Sequence, residues 1–448
     1  MQAVWFAALF SSICLEGLGR KYLPGIPAML FYFLKDIVLL VGYFLYRPSA
    51  AVTRGVRQLY GGFFVFWIVG LIWTLVDTAN PGQTSGMLAL VGVRAYWLWW
   101  LAPLVVAQVV SNERTKRHAI YVLVTMSIGI SILAALQFVA PANSALNLYT
   151  VSDGEQIYAA DVAVVSSTGR ARVASTFTFL TGFQDFTILV PTLLLALGLE
   201  AKQARLRNAG LIGTLITAAV LPMSGSRASV LQGAAVLVIA AWTSGLLFTR
   251  IGRRIMIGGA LAAVLSVSLF PDAILGVESR FGNQEETQSR YVGIVEAFVP
   301  PMVMARIDPP FMGVGTGTQQ NAHSSLRVAL DWYEETETGR YLVELGPIGL
   351  LAVWLAKLGL MLALFKAGKI LRRQGRRGAA AAAVSYAVLT FNGNLVFDHV
   401  WQALYFVGCG FILAEVVSAT RPSPAMVPAA EPEPTMARVP ATSGLAQS

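Results

Sequence analysis

Charge is scarce in this 448-residue chain. Asp, Glu, Lys and Arg together make up 13% of it, hydrophobic residues 56%, and the mean hydropathy is +0.63. So low a charge content excludes an ordinary water-soluble globular domain. Cysteine is nearly absent: Cys14 and Cys409 both fall inside apolar runs, where they read as small core residues and carry no information on redox compartment. There are three histidines, and none has a second His or Cys at ligand spacing, so no metal and no cofactor is expected. Lysine is rare too, arginine outnumbering it nearly fourfold.

What the chain has in quantity is apolar runs of roughly 20 residues, the length that crosses a bilayer. They predict spans near residues 26–46, 58–77, 87–110, 118–140, 176–199, 209–223, 228–249, 255–271, 342–365, 379–397 and 400–419. A shorter run, Ala3–Leu15, is a further span or an interfacial helix; it lacks the basic leader and small-residue cleavage site of a signal peptide. The expected fold is an all-α, polytopic helical membrane protein of about twelve helices. The helical domain covers residues 1–420, with two long outward loops at 141–175 and 271–341. Residues 421–448, rich in Pro, Ala and Glu, are expected to be a disordered cytoplasmic tail.

The net charge of +9 follows topology. Arg47/Arg54/Arg57, Arg114/Lys116/Arg117, Lys202/Arg205/Arg207, Arg250/Arg253/Arg254 and the run from Lys366 to Arg377 fall in every second connection, which marks those as cytoplasmic. Residues 77–86 and 393–396 contain no Lys or Arg. No nucleic-acid partner is needed to explain the charge, and no internal repeat is evident.

Several arginines break this rule by standing on the outward side. Arg172 lies in GRARVASTF just before a span, and Arg227 lies in MSGSRAS, a tight connection between two apolar runs. Arg290 opens SRYVGIVEAF, whose Tyr291, Ile294, Val295 and Phe298 have the spacing of an interfacial helix. One reading is snorkelling to lipid headgroups. The other is an anionic ligand, since the guanidinium fork suits phosphate oxygens and Arg227 has no acidic neighbour in sequence.

The outward stretch GVGTGTQQNAHSSL, residues 313–326, follows no strand pattern and lacks the Lys-Ser/Thr of a phosphate loop. Its glycines are expected to turn the backbone sharply against another surface. His323 within it is a structural loop histidine or a general base. Inside the spans, Lys35, Asp36, Arg94 and Asp185 are expected to pair internally, Asp36 or Asp185 with Arg94; the alternative is an ion or proton pathway.

SGSRAS in a tight connection, then SRYVGIVEAF, GVGTGTQQNAH and YLVELGPIGLL, together with the topology of most of the chain, resemble the O-antigen ligase and polymerase superfamily. These are integral membrane glycosyltransferases of the bacterial inner membrane. The resemblance implies a GT-C-like helical fold acting without metal on polyprenyl-diphosphate-linked oligosaccharides at the extracytoplasmic face. The absence of any Asp-x-Asp pair agrees with that. Membrane lipids, a flippase and a chain-length regulator are the other implied partners. Arg172, Arg227, Arg290 and Arg340 would hold the diphosphate, and His323 would match the family's catalytic loop histidine. His323 and Glu344 stand 21 residues apart, farther than in the family. Glu344, with Glu337 and Arg340, is therefore the alternative catalytic position, and Asp398/His399 is another candidate pair. GRYLVELGPIG looks like the exopolysaccharide polymerases of the group. A ligase passing glycan to a lipid or protein acceptor is the alternative, and a flippase for the same lipid-linked units is the rival of another class.

Overall fold

The computed structural model describes residues 1–23, 26–150, 155–164, 168–245, 299–320, 334 and 336–420, with a few further positions between 249 and 275. Most of the predicted span 255–271, Arg290, His323 and residues 421–448 lie outside the described residues.

Helices α1 (Gln2–Cys14) and α2 (Glu16–Tyr22) meet at a bend of 53°. There follow α3 (Ala28–Leu45), α4 (Ala50–Tyr60), α5 (Phe64–Asp77), α6 (Gly86–Trp97), α7 (Ala102–Val110) and α8 (Glu113–Val139). The next connection holds an antiparallel hairpin, β1 (Leu148–Thr150) against β2 (Gln156–Tyr158), and one helical turn, α9 (Ala159–Val162). After it come α10 (Leu180–Glu200), α11 (Ala204–Val220), α12 (Arg227–Thr243), α13 (Pro300–Arg306), α14 (Glu337–Arg373), α15 (Arg377–Asn392) and α16 (His399–Ala419). The hairpin departs from the all-α expectation. A connection this long must pair its own backbone groups, and β1 does so with β2 and through Thr150 N–H to Thr178 O at 3.1 Å.

Every predicted apolar run that falls within the described residues carries a helix. Eight helices among the described residues are long and apolar enough to cross a membrane, nine if α1 and α2 form one bent span. α12 and α15 are apolar but shorter. By length and composition this is a helical, multi-pass membrane protein. The 58–77 run is interrupted at Gly61, whose φ of +47° ends α4. The 87–110 run changes to a tighter helix over Leu98–Leu101, just before Pro103. α14 is kinked at Gly346 (φ +66°, ψ −175°), beside Pro347.

α16 and α10 are the central helices: their apolar windows are 100% and 89% buried, against 17% for Ala50–Asp77 at the periphery. A helix apolar on every face belongs in such a place. Small residues let its neighbours close in, Gly408 against the Tyr386 ring and Gly410 against Val106. Cys14 and Cys409 are both buried and unpaired.

Three of the four charges inside the spans, Lys35, Asp36 and Arg94, pair internally. Arg94 Nε donates to Asp36 Oδ2 at 2.6 Å, and Trp99 Nε1 donates to Asp36 Oδ1 at 3.0 Å. Tyr32 Oη accepts from Arg94 Nη1 at 2.7 Å. Lys35, fully buried, donates to Glu16, which also faces His399 Nε2 at 3.6 Å. The Asp36–Arg94 pairing is as expected, whereas Asp185 stands beside Asp398 instead.

Removing one member of a buried pair strands the other, at a cost of about 3–5 kcal/mol. Asp36→Leu should lower stability by that order, and adding Arg94→Met should restore most of it. Reversible unfolding in mixed detergent–lipid micelles measures both; a single variant as stable as the double would contradict the pairing.

Candidate functional site

The bundle has two chemically different ends. At one, Lys116 and Arg376 both pair with Glu415, and Glu200 accepts from Gly378 N–H at 2.7 Å. This is the basic end. At the other, the connections poor in Lys bind one another: Tyr22 Oη donates to Ala145 O at 3.0 Å, Asn80 Nδ2 to Gly313 O at 3.1 Å, and Leu395 N–H to Glu337 Oε1 at 2.7 Å. All the described candidate residues lie at this second end.

Arg172 and Arg227 come together on one turn. Arg172 Nε donates to Ser224 O at 3.1 Å, and the next residue, Val173, donates its N–H to Met223 O at 3.1 Å. The turn passes through Gly225 in the left-handed region (φ +62°) and ends at Ser226, whose hydroxyl caps α12 by accepting from Ser229 N–H. Arg227 is therefore the first residue of α12, and it is buried, 6% exposed. A cation there opposes the positive end of the helix dipole. Nothing in helix formation favours it, while an anion would gain from both the guanidinium and the helix end.

The segment before Arg172 is fixed from several sides. Tyr149 Oη donates to Arg172 O; burial pushes this phenol above its ordinary range, more than Arg172 beside it lowers it, so it remains a donor. Ser175, the one non-glycine at positive φ (+49°) among the described residues, donates its N–H to Gln137 at 2.7 Å and its hydroxyl to Ile130 O at 2.7 Å. Its carbonyl accepts from Lys21 Nζ at 3.2 Å. A strained backbone persists only where the surroundings over-determine it in this way. From the turn the polar contacts continue across the end of the bundle: Ser229 Oγ donates to Gln184 Oε1 at 2.9 Å, and the next residue, Asp185, faces Asp398.

Arg340 lies farther along this chain of contacts, on the first turn of α14. It is 8% exposed, donates through Nε to Glu334 O at 2.6 Å, and holds its guanidinium 5.1 Å from the Phe397 ring centre. Glu337 on the same turn pairs with Lys357 and accepts from Tyr341. One turn on, Glu344 is fully buried and accepts from Tyr96 Oη at 2.8 Å and Gln319 N–H at 2.5 Å.

Those contacts give the glycine stretch its role. Gly313, Gly315 and Gly317 have φ of +75°, +112° and +87°, conformations open to glycine at little strain. Val314 N–H donates to Val343 O at 2.8 Å and Gly315 N–H to Glu344 O at 3.1 Å, so the loop lies against α14 just before its Gly346 kink. Thr316 Oγ1 donates to Asp77 Oδ2 at 2.8 Å, which ties the loop to the end of α5. The close approach expected of these glycines is present, and these N–H groups point at α14 rather than into an open phosphate cradle.

The described residues thus gather Arg172 with Arg227, and Arg340 with Glu344, at one end of the bundle; Arg290 and His323 lie outside them. Tyr96, Asp77 and Glu16 escaped the sequence reading because each looked like an ordinary residue in or beside an apolar run. An acidic residue in such a run is the signal that would have found Glu16. No three His, Cys, Asp or Glu side chains form a metal-holding group among the described residues.

Glu344→Gln would place an amide N–H₂ against one of two donors, a mismatch of about 1–3 kcal/mol. Amide exchange over residues 314–320 should accelerate by about tenfold or more, as read by hydrogen–deuterium exchange mass spectrometry. Unchanged protection there would show that Glu344 does not hold the loop.

Neither a protein-family model nor a curated protein matches this chain.

Proposed function

We propose that the protein is a metal-independent membrane glycosyltransferase that polymerises polyprenyl-diphosphate-linked oligosaccharide units at the extracytoplasmic face of a bacterial inner membrane. The observation that supports it best is the convergence of Arg172 and Arg227, 55 residues apart in sequence, on the Ser224–Arg227 turn, with Arg227 buried at a helix start.

In this reading an acceptor sugar hydroxyl attacks the anomeric carbon of the donor. The new glycosidic C–O bond forms as the bond from that carbon to the diphosphate oxygen breaks, and the electron pair leaves with the polyprenyl diphosphate. The hydroxyl proton passes to a base, for which His323 is the candidate by resemblance. The diphosphate is already a good leaving group, so the requirement is stabilisation of its growing negative charge. Arg172 and Arg227 serve that purpose, joined by Arg290 and Arg340. Glu344, enclosed by Tyr96 and the glycine loop, acts as a positioning residue: it anchors residues 313–320, and His323 follows three residues later in the chain.

Deleting one preorganised donor to a developing anion lowers rates by about 10²–10³-fold. Arg227→Ala should slow polymer formation by that order in membranes supplied with donor already on the outer face, and Arg227→Lys should lose less. Unpolymerised units should then accumulate outside. Polymer at the normal rate would sink the enzyme reading, and in cells that make their own donor, accumulation of units on the cytoplasmic face would favour a flippase. Glycan appearing on a lipid or protein acceptor in the unmutated protein would favour the ligase.

A further inference from the structure

At the basic end, α12 and α14 both pack along α15 but differ greatly in length. α12 has 17 residues, about 26 Å, and stops at Gly245 in the left-handed region (φ +70°); α14 has 37 residues, about 55 Å. Beyond the end of α12 a crevice of about 530 Å³ opens between Thr243, the last turns of α14 and the first turns of α15. It adjoins a second space of about 440 Å³, both being lined by Thr243 and Arg372.

The walls are amphipathic. Phe365 and Val384 give an apolar side, while Lys369, Arg372, Arg373 and Arg377 give a basic rim. Trp242 stands at the edge, 69% exposed. None of the four cations forms an ion pair among the described residues. Among the described residues the acidic groups at this corner are engaged elsewhere: Glu415 holds Lys116 and Arg376, and Glu200 caps α15 through Gly378 and Ala379. Topological charge bias would put cations anywhere in the inner connections. Here they instead rim a concave site next to an apolar wall, with the exposed Trp242 ring beside it.

We infer that this crevice binds an anionic phospholipid of the cytoplasmic leaflet, its phosphate among Lys369, Arg372, Arg373 and Arg377 and its acyl chains along Phe365 and Val384. Guanidinium forks grip phosphate oxygens in pairs, and basic pockets between helix ends suit anionic headgroups. An apolar wall has no use for inorganic phosphate, so the lipid is the occupant that uses every surface of the site. This site lies at the opposite end of the bundle from the arginine turn and is independent of the reading proposed for it.

The test uses the full-length protein in detergent, with native mass spectrometry after addition of phosphatidylglycerol or phosphatidylcholine. The unmutated protein should retain phosphatidylglycerol about tenfold more than phosphatidylcholine, and Lys369→Gln/Arg372→Gln/Arg373→Gln/Arg377→Gln should lose that preference. Arg372→Lys/Arg373→Lys/Arg377→Lys should keep most of it. If the glutamine variant does not fold, quenching decides instead. Chain-brominated phosphatidylglycerol in vesicles should quench a fluorescence component that Trp242→Phe removes, and chain-brominated phosphatidylcholine should quench it less. Equal retention of the two lipids, full retention by a folded glutamine variant, equal quenching by the two lipids, or displacement of the lipid by millimolar inorganic phosphate would each overturn the inference.

Discussion

Hydrocarbon offers no water to a charge or to a backbone N–H, so a buried ionic group in a helical bundle must be met by another part of the chain. The Glu16–Lys35 and Asp36–Arg94 pairs fasten α2, α3 and α6 in the interior. The Glu344 carboxylate, enclosed by Tyr96 and by the backbone of Gln319, obeys the same constraint. Its consequence there is architectural. By taking a loop N–H into the bundle, Glu344 draws residues 313–320 onto α14, and Asp77 and Asn80 clamp the same loop from the α5 side.

The two ends then acquire different chemistry from the same residue type. At the basic end, arginines and lysines pair with Glu415 or rim an open crevice. At the opposite end Arg172, Arg227 and Arg340 are drawn into packed turns by backbone carbonyls, capped helix starts and an aromatic face. A guanidinium at a helix start opposes the helix dipole and contributes little to the stability of that helix.

The spans were the most legible part of the sequence, because hydropathy decides them within a single segment. The 400–419 run became Val400–Ala419 preceded by His399, and 176–199 shifted only to Leu180–Glu200. Boundaries failed where polar residues extend a helix past the apolar stretch: α14 reaches from Glu337 to Arg373, well beyond 342–365. Lys35 and Arg94 announced themselves as charges needing partners, yet which carboxylate served which cation was decided by tertiary packing. Asp36 took Arg94, and Glu16, unremarked in its own segment, took Lys35. The convergence of Arg172 on the Arg227 turn was hidden for a related reason. It depends on residues 168–179 folding back across Ser224, held by Tyr149, Gln137 and Lys21, and no local pattern encodes those contacts.

The central claim is that Arg172 and Arg227 together receive the diphosphate of a polyprenyl lipid. An experimental structure of the protein with a polyprenyl diphosphate bound tests it most directly. The account predicts phosphate oxygens within hydrogen-bond distance, about 2.7–2.9 Å, of both guanidinium groups at the Ser224–Arg227 turn, with the prenyl chain running into the bilayer. A diphosphate seated elsewhere, with Arg172 still turned to the Ser224 carbonyl, would contradict it.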